Sequence, residues 1–152
     1  MSTAATATAQ PEWPAWTAPA QRFEPMPGPE SISGALAWLQ ALGEHQAWPP
    51  KTLFALTLCA DEALANIVPQ PDQPLHLWLA CGPTAHGLAL RIEDNGVAFD
   101  PTAQASPDLA DSLDEAQVGG HGLRLMRHYL HQMLYRREAL RNVLLLEVAL
   151  EP

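Results

Sequence analysis

The stretch Leu88-Ala89-Leu90-Arg91-Ile92-Glu93-Asp94-Asn95-Gly96-Val97-Ala98-Phe99-Asp100 carries two readings, and the choice between them decides the fold. Leu88, Leu90 and Ile92 alternate with Ala89, Arg91 and Glu93, the two-residue rhythm of a strand with one apolar face. Asn95-Gly96 is the favoured pair for a tight hairpin, which would turn the strand straight back on itself. Against that, the residues after Gly96 do not alternate as a returning strand would, and Asp94 has the parity of the buried leucines. A carboxylate aimed into an apolar layer is expensive unless a partner satisfies it. The exocyclic amine of adenine is one suitable donor, and Gly96 lets the backbone pass close to a base. From this segment alone both readings stand.

Upstream, Leu75, Leu77 and Leu79 alternate with His76, Trp78 and Ala80, so a first strand is expected to pair antiparallel with the second through a turn at Cys81 to Gly87. Pro69, Pro71 and Pro74 end a helix from about Lys51 to Val68, in which Leu53, Leu56, Ala60, Leu64 and Ile67 recur at helical spacing. Pro49 and Pro50 suit its first turn. An earlier helix, roughly Glu30 to Gln46, carries a stripe of Ile32, Ala35, Leu36, Leu39 and Leu42, and follows a short edge strand at Gln21 to Met26. Downstream, Asn95 to Val118 has no steady period and reads as a long loop or lid. Leu123, Met126, Leu130 and Leu134 mark a third helix, and two closing strands lie near Met133 to Arg137 and Asn142 to Leu150. This order lacks repeated βαβ units. It favours an α+β fold: a two-layer α/β sandwich, with helices on one face of a mostly antiparallel sheet.

The chain has 152 residues, 47% of them hydrophobic, enough for one compact domain but not two. A formal charge of -9 with eight Lys and Arg excludes the basic face that a nucleic-acid binder needs. An acidic protein that binds a polyanion must instead use backbone NH groups, a helix N-terminus and Mg2+. Cys59 and Cys81 sit in apolar stretches with no CxxC pattern, so free buried thiols are expected. Residues 1–20 lack a basic start and a continuous apolar core, and no later segment approaches the ~20 apolar residues of a membrane span. The expectation is a cytoplasmic domain from residue 21 to 152 behind a flexible tail of residues 1–20. Trp13 and Trp16 in that tail are costly to leave in water, which sets docking against disorder.

Two further clusters carry chemistry. In Asp61-Glu62-Ala63-Leu64-Ala65-Asn66, Glu62 and Asn66 are four apart and share a helix face. An Asn carbonyl oxygen can hold Mg2+ while a carboxylate orients or deprotonates a hydroxyl, although the same spacing suits a solvated polar face. Gly119-Gly120-His121-Gly122-Leu123-Arg124 is a glycine-rich loop opening into a helix, where backbone NH groups can bind phosphate. It matches neither the Rossmann nor the P-loop pattern, and a glycine-containing helix entry without ligand is its alternative. His128 and His131, three apart on the polar side of the third helix, read as a solvated face rather than a metal site.

In this order and at these separations the three clusters resemble the N box, G1 box and G2 box of the Bergerat (GHKL-type) ATPases. More closely, the run Leu56-Thr57-Leu58-Cys59-Ala60-Asp61-Glu62-Ala63-Leu64-Ala65-Asn66, with Tyr135-Arg136-Arg137 and Arg141-Asn142-Val143, is similar to the anti-sigma-factor serine kinase branch. The resemblance implies ATP and Mg2+ as cofactors, Glu62 as catalytic base, Asn66 as Mg2+ ligand, Asp94 and Gly96 at adenine, and Gly120, His121, Gly122 and Leu123 at the phosphates. It implies a lid over residues 100–118. It also implies an anti-anti-sigma-type antagonist protein as substrate and a sigma factor as a further partner, and the first helix and exposed sheet edge are expected surfaces for a homodimer or for a partner. Two departures stand out. Val68-Pro69-Gln70 follows Asn66 where the branch often has a His and an aromatic residue, and Ala116-Gln117 precedes the glycines where an Arg is common.

Overall fold

The computed structural model describes residues 12–68, 75–103 and 127–150. Strand β1 (Gln21–Phe23) is followed by helices α1 (Ser31–His45) and α2 (Pro50–Ile67), then by strands β2 (Leu77–Thr84), β3 (Gly87–Asp94), β4 (Gln132–Glu138) and β5 (Arg141–Ala149). The strands form one antiparallel sheet in the order β1-β2-β3-β5-β4. Both helices lie on one face, against Leu77, Leu79 and Cys81 of β2, Leu88, Leu90 and Ile92 of β3, and Leu144, Leu146 and Val148 of β5. The expected α+β sandwich is what forms, and α2 stops at Ile67 just ahead of the proline-rich segment.

Helix α2 turns Leu56, Cys59, Ala60, Ala63 and Leu64 inward, one stripe at helical spacing. Pro50 occupies its first turn, where a missing NH goes unnoticed. The Thr52 hydroxyl donates to the Ala149 carbonyl at 3.3 Å, which sets the start of α2 over the last residue of β5. Its sheet contacts fall mainly on β5 and β3. The ten residues from Thr52 to Glu62 rise about 15 Å, carrying Glu62 and Asn66 away from Ala149.

The opposite sheet face is covered by the N-terminal segment. Trp13 and Trp16 pack on Ala89, Leu134 and Leu145, and the Thr17 NH donates to the Pro83 carbonyl at 2.9 Å. Arg136 lies 4.2 Å over the Trp13 ring. Gly82 makes room for this: a Cβ there would stand 3.1 Å from both the Trp16 ring and the Ala20 Cα. Of the two readings of the tryptophans, docking is the one that holds.

Two expectations need correction. The turn placed at Cys81 to Gly87 is narrower, because β2 continues through Cys81-Gly82-Pro83 and only Ala85 and His86 separate Thr84 from Gly87. The breakers Gly82 and Pro83 stay in the strand because the Trp16–Ala20 segment packs on the first and hydrogen-bonds the second. Leu134, assigned to the third helix, is on β4. Helix is described at residues 127–129 and the chain has left it by His131, whose NH donates to the Glu147 carbonyl at 2.7 Å.

Candidate functional site

Asp94 is the last residue of β3, with Leu77 of β2 on one side and Asn142 of β5 on the other. It is 2% exposed and has the parity of the helix-facing leucines. No hairpin follows it; the chain leaves the sheet at Asn95 and reaches a short 3₁₀ turn at Pro101–Ala103. Asp94 Oδ1 accepts from the Gly96 NH at 2.8 Å and from Asn142 Nδ2 at 3.0 Å. Among the described residues Asp94 forms no ion pair, and both bonds fall on Oδ1. Oδ2 is thus an acceptor at the end of the sheet, suited to a neutral NH2 donor.

Asn142 holds this corner together. Its Nδ2 also donates to the Val97 carbonyl at 2.9 Å, while its Oδ1 accepts from the Phe99 NH at 3.2 Å, the Tyr135 hydroxyl at 2.5 Å and Arg137 Nη1 at 3.1 Å. The same Arg137 nitrogen donates to the Gly96 carbonyl at 2.8 Å. Asn95 Oδ1 accepts from the His76 NH at 3.1 Å, and a Cβ on Gly96 would press on Leu75 and Asp94. Outside this network Arg141 pairs with Glu93 at 3.3 Å and covers the Trp78 ring at 3.6 Å. The segment after Asp94 is therefore pinned in a non-strand path from three strands at once.

Sequence reasoning gave Asn142 no role of its own. The signal was present: it shares the parity of Leu144, Leu146 and Val148, a second inward polar residue mirroring Asp94. Asn142→Ala is expected to lower unfolding free energy by about 2–4 kcal/mol in urea titrations, because it strands buried partners on several segments at once. An unchanged midpoint would contradict this account of the network.

Glu62 and Asn66 lie half-buried along the border of the inward stripe of α2, beside Cys59 and Ala63. Their oxygens are hard donors of the kind Mg2+ takes. The Cys59 thiol is pushed up from 9.0 to about 12, first by burial and then by the charge of Glu62. Cys81 is pushed up to about 12 by burial alone. Raised thiol values favour the neutral folded form, so their contribution to stability is complete below about pH 9 and is lost as pH rises from there toward about 12. Both buried thiols should resist Ellman's reagent at pH 8 in the native protein and react fully in guanidinium.

The structure thus brings Asp94, Gly96 and Asn142 together at one end of the sheet. Gly120, His121, Gly122 and Leu123 lie outside the described residues, as does most of the expected lid. A cavity of about 560 Å³ lies elsewhere, between Lys51, Thr52 and Phe54 of α2, residues 128–131 and the end of β5. Among the described residues, none of the expected site residues lines it.

Residues 27–148 match the histidine kinase-like ATPase domain. The serine/threonine-protein kinase BtrW of Bordetella bronchiseptica is 49% identical over 110 residues, which span 70% of this chain and 78% of that protein. A match over most of the chain, on a fold whose strand end presents a buried carboxylate, places this protein in the histidine kinase-like ATPase domain family.

Proposed function

We propose that this protein is an ATP-dependent serine/threonine-protein kinase acting as an anti-sigma-type regulator, which phosphorylates a small antagonist protein in a partner switch. The observation that carries the nucleotide half of this reading is Asp94, a buried carboxylate with a spare oxygen, held by Asn142 and without an ion pair among the described residues. The kinase half is supported by the similarity to a serine/threonine-protein kinase. Adenine would donate its amine to Asp94, with Gly96 beside the base. The glycine loop at Gly120, His121, Gly122 and Leu123 would offer NH groups to the phosphates. Mg2+, held by Asn66, would neutralise charge on the phosphates. In the transfer, the hydroxyl oxygen of a Ser or Thr bonds to the γ-phosphorus as its bond to the β–γ bridging oxygen breaks. ADP leaves, and Glu62 accepts the hydroxyl proton.

Antagonist and sigma factor are proteins that the acidic surface could attract through basic patches. The test is transfer of radiolabelled γ-phosphate from ATP to a purified antagonist-type protein, with phosphoserine or phosphothreonine identified in the product. Failure across such proteins would overturn the kinase reading.

A second reading, a non-catalytic nucleotide-gated binding module, is favoured by one feature: α2 ends one residue past Asn66. On that reading ATP changes partner affinity, and no phosphoprotein forms even at long times.

A further inference from the structure

We infer that His86, His131 and Glu147 form a binding site for a divalent transition-metal ion of the Zn2+ type. The three residues come from separate parts of the chain: the β2–β3 turn, the approach to β4, and β5. One ligand atom of each lies within 4.8 Å of the others. The imidazole rings are 4.7 Å apart and nearly parallel, and His86 Nδ1 is 4.0 Å from Glu147 Oε2.

Glu147 is the telling member. Its side chain is fully buried on the sheet face that otherwise presents Ala89, Leu134 and Leu145. A carboxylate there is costly without a cation. Its hydrogen bonds among the described residues come from neutral donors, Thr84 Oγ1 at 2.5 Å to Oε2 and Gln132 Nε2 at 2.7 Å to Oε1. Such bonds fix a carboxylate as a ligand and bring no formal charge of their own. Two neutral imidazoles and one carboxylate are a donor set that Zn2+ takes, with water as fourth ligand. Metal–ligand bonds of about 2.0–2.2 Å require the three atoms to close to roughly 3.3 Å of one another. Both histidines are exposed, so side-chain rotation can supply that movement while Glu147 stays fixed.

The site lies at the Gly87–Ala149 end of the sheet, away from Asp94, and is independent of the nucleotide reading. An ion there would tie the β2–β3 turn to the segment that leaves the third helix. It would fix that helix from its C-terminal side.

The test is calorimetric titration of Zn2+ into the full-length, nucleotide-free protein, with Co2+ as an absorbance probe, on wild type, His86→Ala and His131→Ala. His76→Ala serves as a control, since His76 lies at the opposite end of the sheet. His86 sits on an exposed turn, so its removal leaves the core intact. The expected result is one Zn2+ per chain at micromolar affinity or better. His86→Ala and His131→Ala should each weaken it at least tenfold and remove the Co2+ bands, with His76→Ala unchanged. No ion bound by wild type, or wild-type affinity retained in His86→Ala or in His131→Ala, would overturn the site.

Discussion

Glu62→Gln is expected to lower phosphate transfer to a protein substrate by about 10²–10⁴-fold while leaving ATP affinity within a few-fold of wild type. The amide keeps the shape of the carboxylate and cannot accept a proton, so the loss falls on the chemical step rather than on binding. Glu62 belongs to α2, whose buried stripe runs from Thr52 to Leu64, and the substitution touches none of that packing. One side effect follows from the geometry. Removing the charge of Glu62 withdraws the smaller of the two causes that raise the Cys59 thiol, so Cys59 should ionise at slightly lower pH in the variant. Single-turnover transfer and nucleotide titration on the same preparation separate the two effects. Equal loss of binding and transfer would mean that Glu62 holds the nucleotide rather than the proton.

Asp94→Asn is expected to weaken ATP binding by about 100-fold, close to 2.8 kcal/mol at tenfold per 1.4 kcal/mol. The two bonds that Asp94 Oδ1 accepts, from Gly96 and Asn142, fix which oxygen of an Asn could replace it. The Asn amide nitrogen would then occupy the place of Oδ2 and set a donor against the donor of adenine. Hydrogen bonds to charged acceptors are worth about 1.5–3 kcal/mol, and the clash adds to their loss. Because the Oδ1 contacts survive, the fold should be only mildly affected, in contrast to Asn142→Ala.

How far the sequence leads is clearest at the two ends of β3. The parity of Asp94 is legible because side chains alternate along a strand, and one inward carboxylate among leucines demands a partner. The partner inside the protein was not legible. Asn142 is 48 residues away, and its role depends on the register that sets β5 beside β3. The two helices and their stripes follow from apolar spacing and prolines. The strand through Gly82 and Pro83 does not, since a tertiary contact with Trp16 overrides the local breakers. His131 shows the same limit. Its helical spacing to His128 suggested a solvated face, whereas the chain leaves the helix first and sets His131 against His86 from a distant turn. Glu62 and Asn66 were legible as a pair on one helix face, but that α2 begins over the end of β5 needed the Thr52–Ala149 bond.

The most direct test of the central claim is calorimetric titration of ATP into the wild-type protein and Asp94→Asn side by side, with and without Mg2+. The account predicts one ATP per chain at micromolar affinity in wild type, strengthened by Mg2+ and largely lost in Asp94→Asn. No binding by wild type, or equal binding by Asp94→Asn, would contradict it.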